Sequence, residues 1–173
     1  MTRSEKIHAI KYVVYALLML VAFVLCSARG IMPRLWGATV NPMPFLVCAI
    51  ALYEGPYVGA GFGLGAGLLV SLHSLMVEGL ASLYLGLVGL GFGLIAVVWL
   101  RQIVLNAMLG GVLCFLVQGI GRYLFYHGLV LGVPFRQDAQ LIAGELLLAL
   151  IPGLILCLLV KKIYNKFREV LES

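Results

Sequence analysis

Charge is what this chain lacks most. Lysine, arginine, aspartate and glutamate supply 11% of its 173 residues, against about 25% in an ordinary soluble domain. Most of the basic residues gather at two places: Arg3, Lys6 and Lys11 near one end, Lys161, Lys162, Lys166 and Arg168 near the other. A nucleic-acid partner needs a basic face spread across a fold, so the net charge of +5 argues for no such partner. Cysteine is sparse as well. Cys26, Cys48, Cys114 and Cys157 all lie in apolar runs, with no C-x-x-C pair and no Cys/His spacing, and read as small packing residues. Paired aspartates within the apolar runs, an H-E-x-x-H and a Ser/His or Ser/Lys arrangement in recognisable context are also missing. The sequence therefore points to no enzyme, no metal and no cofactor.

What is present is apolar surface. Hydrophobic residues make up 63% of the chain and the mean hydropathy is +1.10, more than the core of a soluble domain of this size absorbs. The runs divide into six expected transmembrane helices at 12–28, 40–53, 56–72, 80–100, 103–126 and 139–160, followed by an amphipathic tail at 161–173. The expected fold class is all-α: one polytopic membrane domain. Small residues at Cys26, Ser27 and Ala28 permit a cleaved signal peptide, but further spans follow, so the first run is read as retained. Pro42 and Pro44 open the second span, and Glu54-Gly55-Pro56 breaks it from the third. That second span is short, so spans two and three form either a crossing pair or a hairpin that does not fully cross. With six spans, both basic termini and Arg101 face the cytoplasm, as the positive-inside rule requires; Arg29 and Arg34 fall outside, against it.

The third span, from Gly55 to Ser71, carries Gly55, Gly59, Gly63 and Gly67 at every fourth position, with Gly61 and Gly65 on a second face. Interior glycine costs about 1 kcal/mol in a helix in water, but in lipid the backbone must satisfy itself, and small residues let another helix come close. These six glycines are the expected helix-packing or partner-binding residues. Gly61-x-Gly63-x-x-Ala66 matches a dinucleotide fingerprint only loosely, because no strand precedes it. The fifth span puts Asn106, Gly110, Cys114, Gln118, Arg122 and Tyr126 on one ridge, and the sixth answers with Glu145, Ala149, Gly153 and Cys157. An ionisable group in a span usually has a partner, so an Arg122–Glu145 ion pair near the outer surface is expected, with Cys114 facing Gly153. His73 and His127 fall at outer span ends with Glu78 nearby and read as interfacial residues rather than ligands.

The order of features from Pro42 to Leu100 resembles the MreD family, the rod-shape-determining membrane subunit of bacterial wall elongation. The family pattern is a proline opening a span, then a helix of the form G-[F/L]-x-x-G-L-L-x-D. Here Gly63-Leu64-Gly65-Ala66-Gly67-Leu68-Leu69-Val70-Ser71 matches, with Ser71 where the family usually has aspartate. The resemblance implies a non-enzymatic adaptor in the bacterial cytoplasmic membrane, with a fold similar to the six-helix S-components of vitamin transporters. It also implies partners: an MreC-like bitopic protein, an MreB-like filament, wall-synthesis enzymes and the lipid bilayer itself. The alternative is a substrate-binding S-component of an energy-coupling-factor transporter. Those proteins often carry A-x-x-x-A in the first span, whereas here Leu20 follows Ala16 and Cys26 follows Ala22 at that spacing.

Overall fold

A computed structural model describes residues 3–27, 41–73, 80–124 and 135–172. Within them all regular structure is helical: α1 Arg3–Ser27, α2 Met43–Glu54, α3 Pro56–His73, α4 Leu80–Trp99, α5 Val104–Arg122 and α6 Phe135–Glu172. Four contain stretches long and apolar enough to cross a membrane, Lys6–Leu25, Ala81–Trp99, Val104–Gly121 and Ala139–Val170. The apolar parts of α2 and α3, Met43–Glu54 and Pro56–Leu72, are shorter.

The bundle is built around its shortest helix. The sequence MPFLVCAIALY has no charged side chain on any face, and a helix that is apolar all round is driven to the centre. Every residue from Met43 to Tyr53 is accordingly buried. At 12 residues α2 is about 18 Å long, well short of the roughly 30 Å hydrocarbon core. Its start therefore lies inside the protein, where orphan amide groups would be expensive. The sequence removes them one by one. Pro42 and Pro44 have no N–H, the Met43 N–H reaches the Asn41 side-chain oxygen at 3.3 Å, and the Phe45 and Leu46 amides donate to the Pro42 carbonyl at 3.1 and 3.2 Å.

α2 and α3 meet at a single residue, Gly55, whose φ of 94° reverses the chain. A side chain there would be strained, which explains the glycine. Gly55 still donates its N–H to Ala51 and accepts from the Gly59 amide, so the break leaves the backbone satisfied. The N-terminal part of α1, the α2–α3 junction and the last third of α6 share one end of the bundle. Lys11 touches Glu54, and the rings of Tyr53 and Tyr164 stack with centroids 5.3 Å apart. Gly93 packs on Pro56, which brings the end of α4, and Arg101 after it, to the same end.

Several helix ends differ from the expected span ends. The sixth span and the tail are one helix of 38 residues, about 57 Å long, carrying Pro152 in its interior. The first apolar residues of the tail, Ile163 and Tyr164, pack against the end of the core. The second span begins at Met43 rather than at residue 40. Residues 28–40 with Arg29 and Arg34, the Glu78 and His127 positions and the side chain of His73 lie outside the described residues.

Candidate functional site: a glycine seam, a buried ion pair and a lateral slot

Gly59, Gly63 and Gly67 lie on the face of α3 that meets α4. A methyl group at Gly59 would stand 2.5 Å from the Ala51 Cβ and 3.0 Å from the Gly89 carbonyl; one at Gly63 would enter the Leu85 carbonyl, and one at Gly67 the backbone of Ser82. The relation is reciprocal, since Gly89 lies on the Gly59 carbonyl and a methyl at Gly93 would stand 2.5 Å from the Pro56 Cα. Two helices this close exchange polar contacts as well, and the Ser82 hydroxyl donates to the Leu64 carbonyl at 2.9 Å. Ser71 donates back to the Gly67 carbonyl at 2.8 Å, a bond within its own helix.

The other three glycines do different things. Gly55 forms the chain reversal and contributes nothing to the seam. Gly65 approaches the Met19 methyl of α1, at 3.4 Å from where a Cβ would stand, and Gly61 has open space around its α-carbon. Beside Gly61 runs a lateral slot of about 350 Å³ between α1 and α3, lined by Tyr12, Met19, Val58, Gly61 and Phe62.

The polar centre that sequence reasoning missed is at the basic end of the bundle. Glu54 closes α2, where the helix dipole disfavours a carboxylate, and it is held by two groups from α1. The Lys11 ammonium donates to one oxygen at 2.7 Å and the Tyr15 hydroxyl to the other at 2.9 Å. The same ammonium lies 5.6 Å from the Tyr12 ring centre and 5.7 Å from that of Tyr164, within cation–π range. Both charged side chains are almost wholly excluded from solvent. A signal for this pair was present: Lys11 precedes the first apolar run by one residue and Glu54 ends the second, so antiparallel helices bring them to one level. In the sequence Lys11 groups with the basic terminus and Glu54 with the turn, so neither points to the other.

The polar stripe of α5 resolves into separate local tasks. Asn106 donates to the Arg101 carbonyl at 2.8 Å across the turn that starts α5. Gly110 takes the edge of the Phe92 ring. Cys114 receives a hydrogen bond on its carbonyl from Tyr84, whose hydroxyl also lies 3.4 Å from the Cys114 sulfur. Gln118 is half-buried. Where Cys114 is expected against Gly153, the atoms nearest to Gly153 are those of a third helix, the Phe45 ring of α2. Phe45 of α2 places its ring between Gly111 of α5 and Gly153 of α6, where a methyl on either glycine would collide with it. The Cys157 thiol packs beside the Phe45 carbonyl at 3.7 Å. The expected Arg122–Glu145 pair lies partly outside the described residues, since the Arg122 side chain is not among them; Glu145 is half-buried and interacts with a neighbour. Among the described residues no group of three or more His, Cys, Asp and Glu is placed to hold a metal ion.

Among the described residues these features define an all-helical fold with four helices apolar enough to cross a membrane. No family model, no curated protein and no solved structure matches it.

Proposed function

We propose that the chain is a non-enzymatic, multi-pass adaptor of bacterial cell-wall elongation, MreD-like, set in the cytoplasmic membrane with its basic end inside. The carrying observation is the filled interior around α2. Phe45 occupies the space between α5 and α6. The buried start of α2, the place where a broken helix would offer amide donors to an anionic substrate, has its donors removed by proline or engaged by Asn41 and Pro42. A packed centre supports a role played on outer helix faces. Those faces are apolar and open: Leu64, Leu68 and Leu72 on α3 and Leu87, Leu94 and Val98 on α4 are exposed. They are available to other membrane subunits, while the projecting basic part of α6 is available to cytoplasmic ones.

Deletion of the gene in its host is the test. The expected result is loss of rod shape together with dispersal of the filament, of its bitopic partner and of the wall-synthesis enzymes. Unchanged shape and unchanged recruitment would sink the proposal. A vitamin co-purifying in stoichiometric amount would favour the transporter reading instead.

A further inference from the structure

We infer that Tyr164 is a releasable latch: seated on the Lys11 ammonium and the Tyr53 ring, it holds the end of α6 in line with its span, and lifted off them it frees that end to lie along the membrane surface. The latch does not depend on the adaptor role. Three helices meet at it. The Lys11 ammonium of α1 is 2.7 Å from the Glu54 carboxylate of α2 and 5.7 Å from the ring centre of Tyr164 on α6, and the Tyr53 ring of α2 lies 5.3 Å from the same ring. Among the described residues after Val160, the core takes Ile163 and Tyr164. The seat is therefore one helical turn wide.

Two observations make the seat reversible. The Tyr53 hydroxyl is buried and has no hydrogen-bond partner. A hydroxyl withheld from water without a bond weakens the closed arrangement, and parting the two rings opens Tyr53 to water, which supplies the bond. The tail also has a second place to go. Ile163, Tyr164, Phe167 and Val170 share one helical face, with Lys162, Lys166 and Glu169 on another, and Val170 is still 44% exposed. A bilayer interface accepts the whole of such a face, whereas the core reaches only its first turn. Coupling follows from the shared ammonium. Lys11 serves the Glu54 carboxylate and the Tyr164 ring with one charge, so whatever draws the tail away opens the ion pair to water, and whatever breaks the pair unseats the tail, with equal force in both directions. A partner that engages the exposed Lys162 and Lys166 is thereby felt where α1 meets α2.

Double electron–electron resonance of the full chain in lipid nanodiscs tests this. In a background with the native cysteines replaced, spin labels go on Arg101→Cys and Lys166→Cys, both exposed positions, and the seated tail gives one dominant distance between them. Tyr164→Ala should populate a second distance at least about threefold more than the parent does, the equilibrium effect of one cation–π contact. Lys11→Met/Glu54→Leu, which removes the ammonium without stranding a charge, should do the same. Tyr164→Phe keeps the ring and should keep the parent distribution. Thermal midpoints verify folding, and Tyr164→Leu replaces Tyr164→Ala should the smaller side chain lower the midpoint. A distribution that Tyr164→Ala leaves unchanged would overturn the latch. So would one that responds to Tyr164→Ala but not to loss of Lys11, because the ammonium would then be no part of the seat.

Discussion

The ammonium of Lys11 and the carboxylate of Glu54 meet at 2.7 Å with each side chain only 6% exposed, joining α1 to the end of the central helix. Tyr15 completes the arrangement by donating to the second carboxylate oxygen. Most of α1 is apolar surface turned outward, with Val13, Leu17, Leu20, Val21 and Val24 all exposed. In lipid that surface gives α1 little reason to choose one rotation over another. The ion pair and the Tyr15 bond supply the reason, since any other setting strands a charge in an apolar environment.

Breaking the pair should therefore be worse than replacing it. Lys11→Met alone leaves Glu54 buried and uncompensated, a change that typically costs about 3–5 kcal/mol. Glu54→Gln should cost less than that, because the Lys11 ammonium keeps an amide oxygen as acceptor and the ring faces of Tyr12 and Tyr164. The double variant Lys11→Met/Glu54→Leu should recover most of the loss, since a well-packed apolar pair often matches a buried ion pair. Thermal unfolding in detergent measures all three. A double variant as unstable as the sum of the singles would show that the pair does not act as a unit.

Two glycines two positions apart on α3 should respond in opposite directions. Gly63→Ala drives a methyl into the Leu85 carbonyl on α4 and should destabilise by about 1–3 kcal/mol, as overpacking does. Gly61→Ala meets open space and should be neutral or stabilising by up to about 1 kcal/mol, the helix preference of alanine over glycine. The midpoint of thermal unfolding separates them. Equal effects would mean that α3 and α4 do not meet along this face.

How much of this could be read from the sequence depended on the range of the interaction. The seam at Gly59, Gly63 and Gly67 has a four-residue period within one helix, and its partner glycines at Gly86, Gly89 and Gly93 follow in the next; local spacing carried the information. The surroundings of Gly153 were not legible, for the opposite reason. α5 and α6 do pack on each other, at Gly119 and Ile142 among other places, but at the level of Gly153 the wedge between them, Phe45, comes from α2. The Lys11–Glu54 pair joins consecutive helices, but its residues stand 43 positions apart, and each has an adequate local explanation that conceals the other. Gly55 illustrates a third limit: it continues the four-residue spacing, yet its positive φ assigns it to the chain reversal.

Orientation in the membrane can be tested at the exposed cations. Arg101 and Lys166 are on the surface at or beyond the basic end, and the proposed orientation, which follows the positive-inside rule, has both in the cytoplasm. In a background with the native cysteines replaced, Arg101→Cys and Lys166→Cys should resist a membrane-impermeant maleimide in intact cells and react in inverted vesicles. Labelling of either in intact cells would reverse the orientation or break the six-span arrangement.

The wedge at the centre gives a prediction of sign. Phe45 is fully buried between two glycines, so Phe45→Ala should cost about 3–5 kcal/mol through the cavity it leaves. Gly111→Ala on its own should also destabilise, because its methyl would collide with the Phe45 ring. Together the collision disappears, the added methyl reclaims part of the cavity, and alanine suits the helix better than glycine. Gly111→Ala should thus change from harmful in the native background to beneficial in the Phe45→Ala background. Residues in direct contact commonly couple by about 0.5–3 kcal/mol, a range that a double-mutant cycle of detergent unfolding midpoints resolves. Additive effects would place the Phe45 ring away from α5, and the filled centre on which the adaptor reading depends would no longer hold.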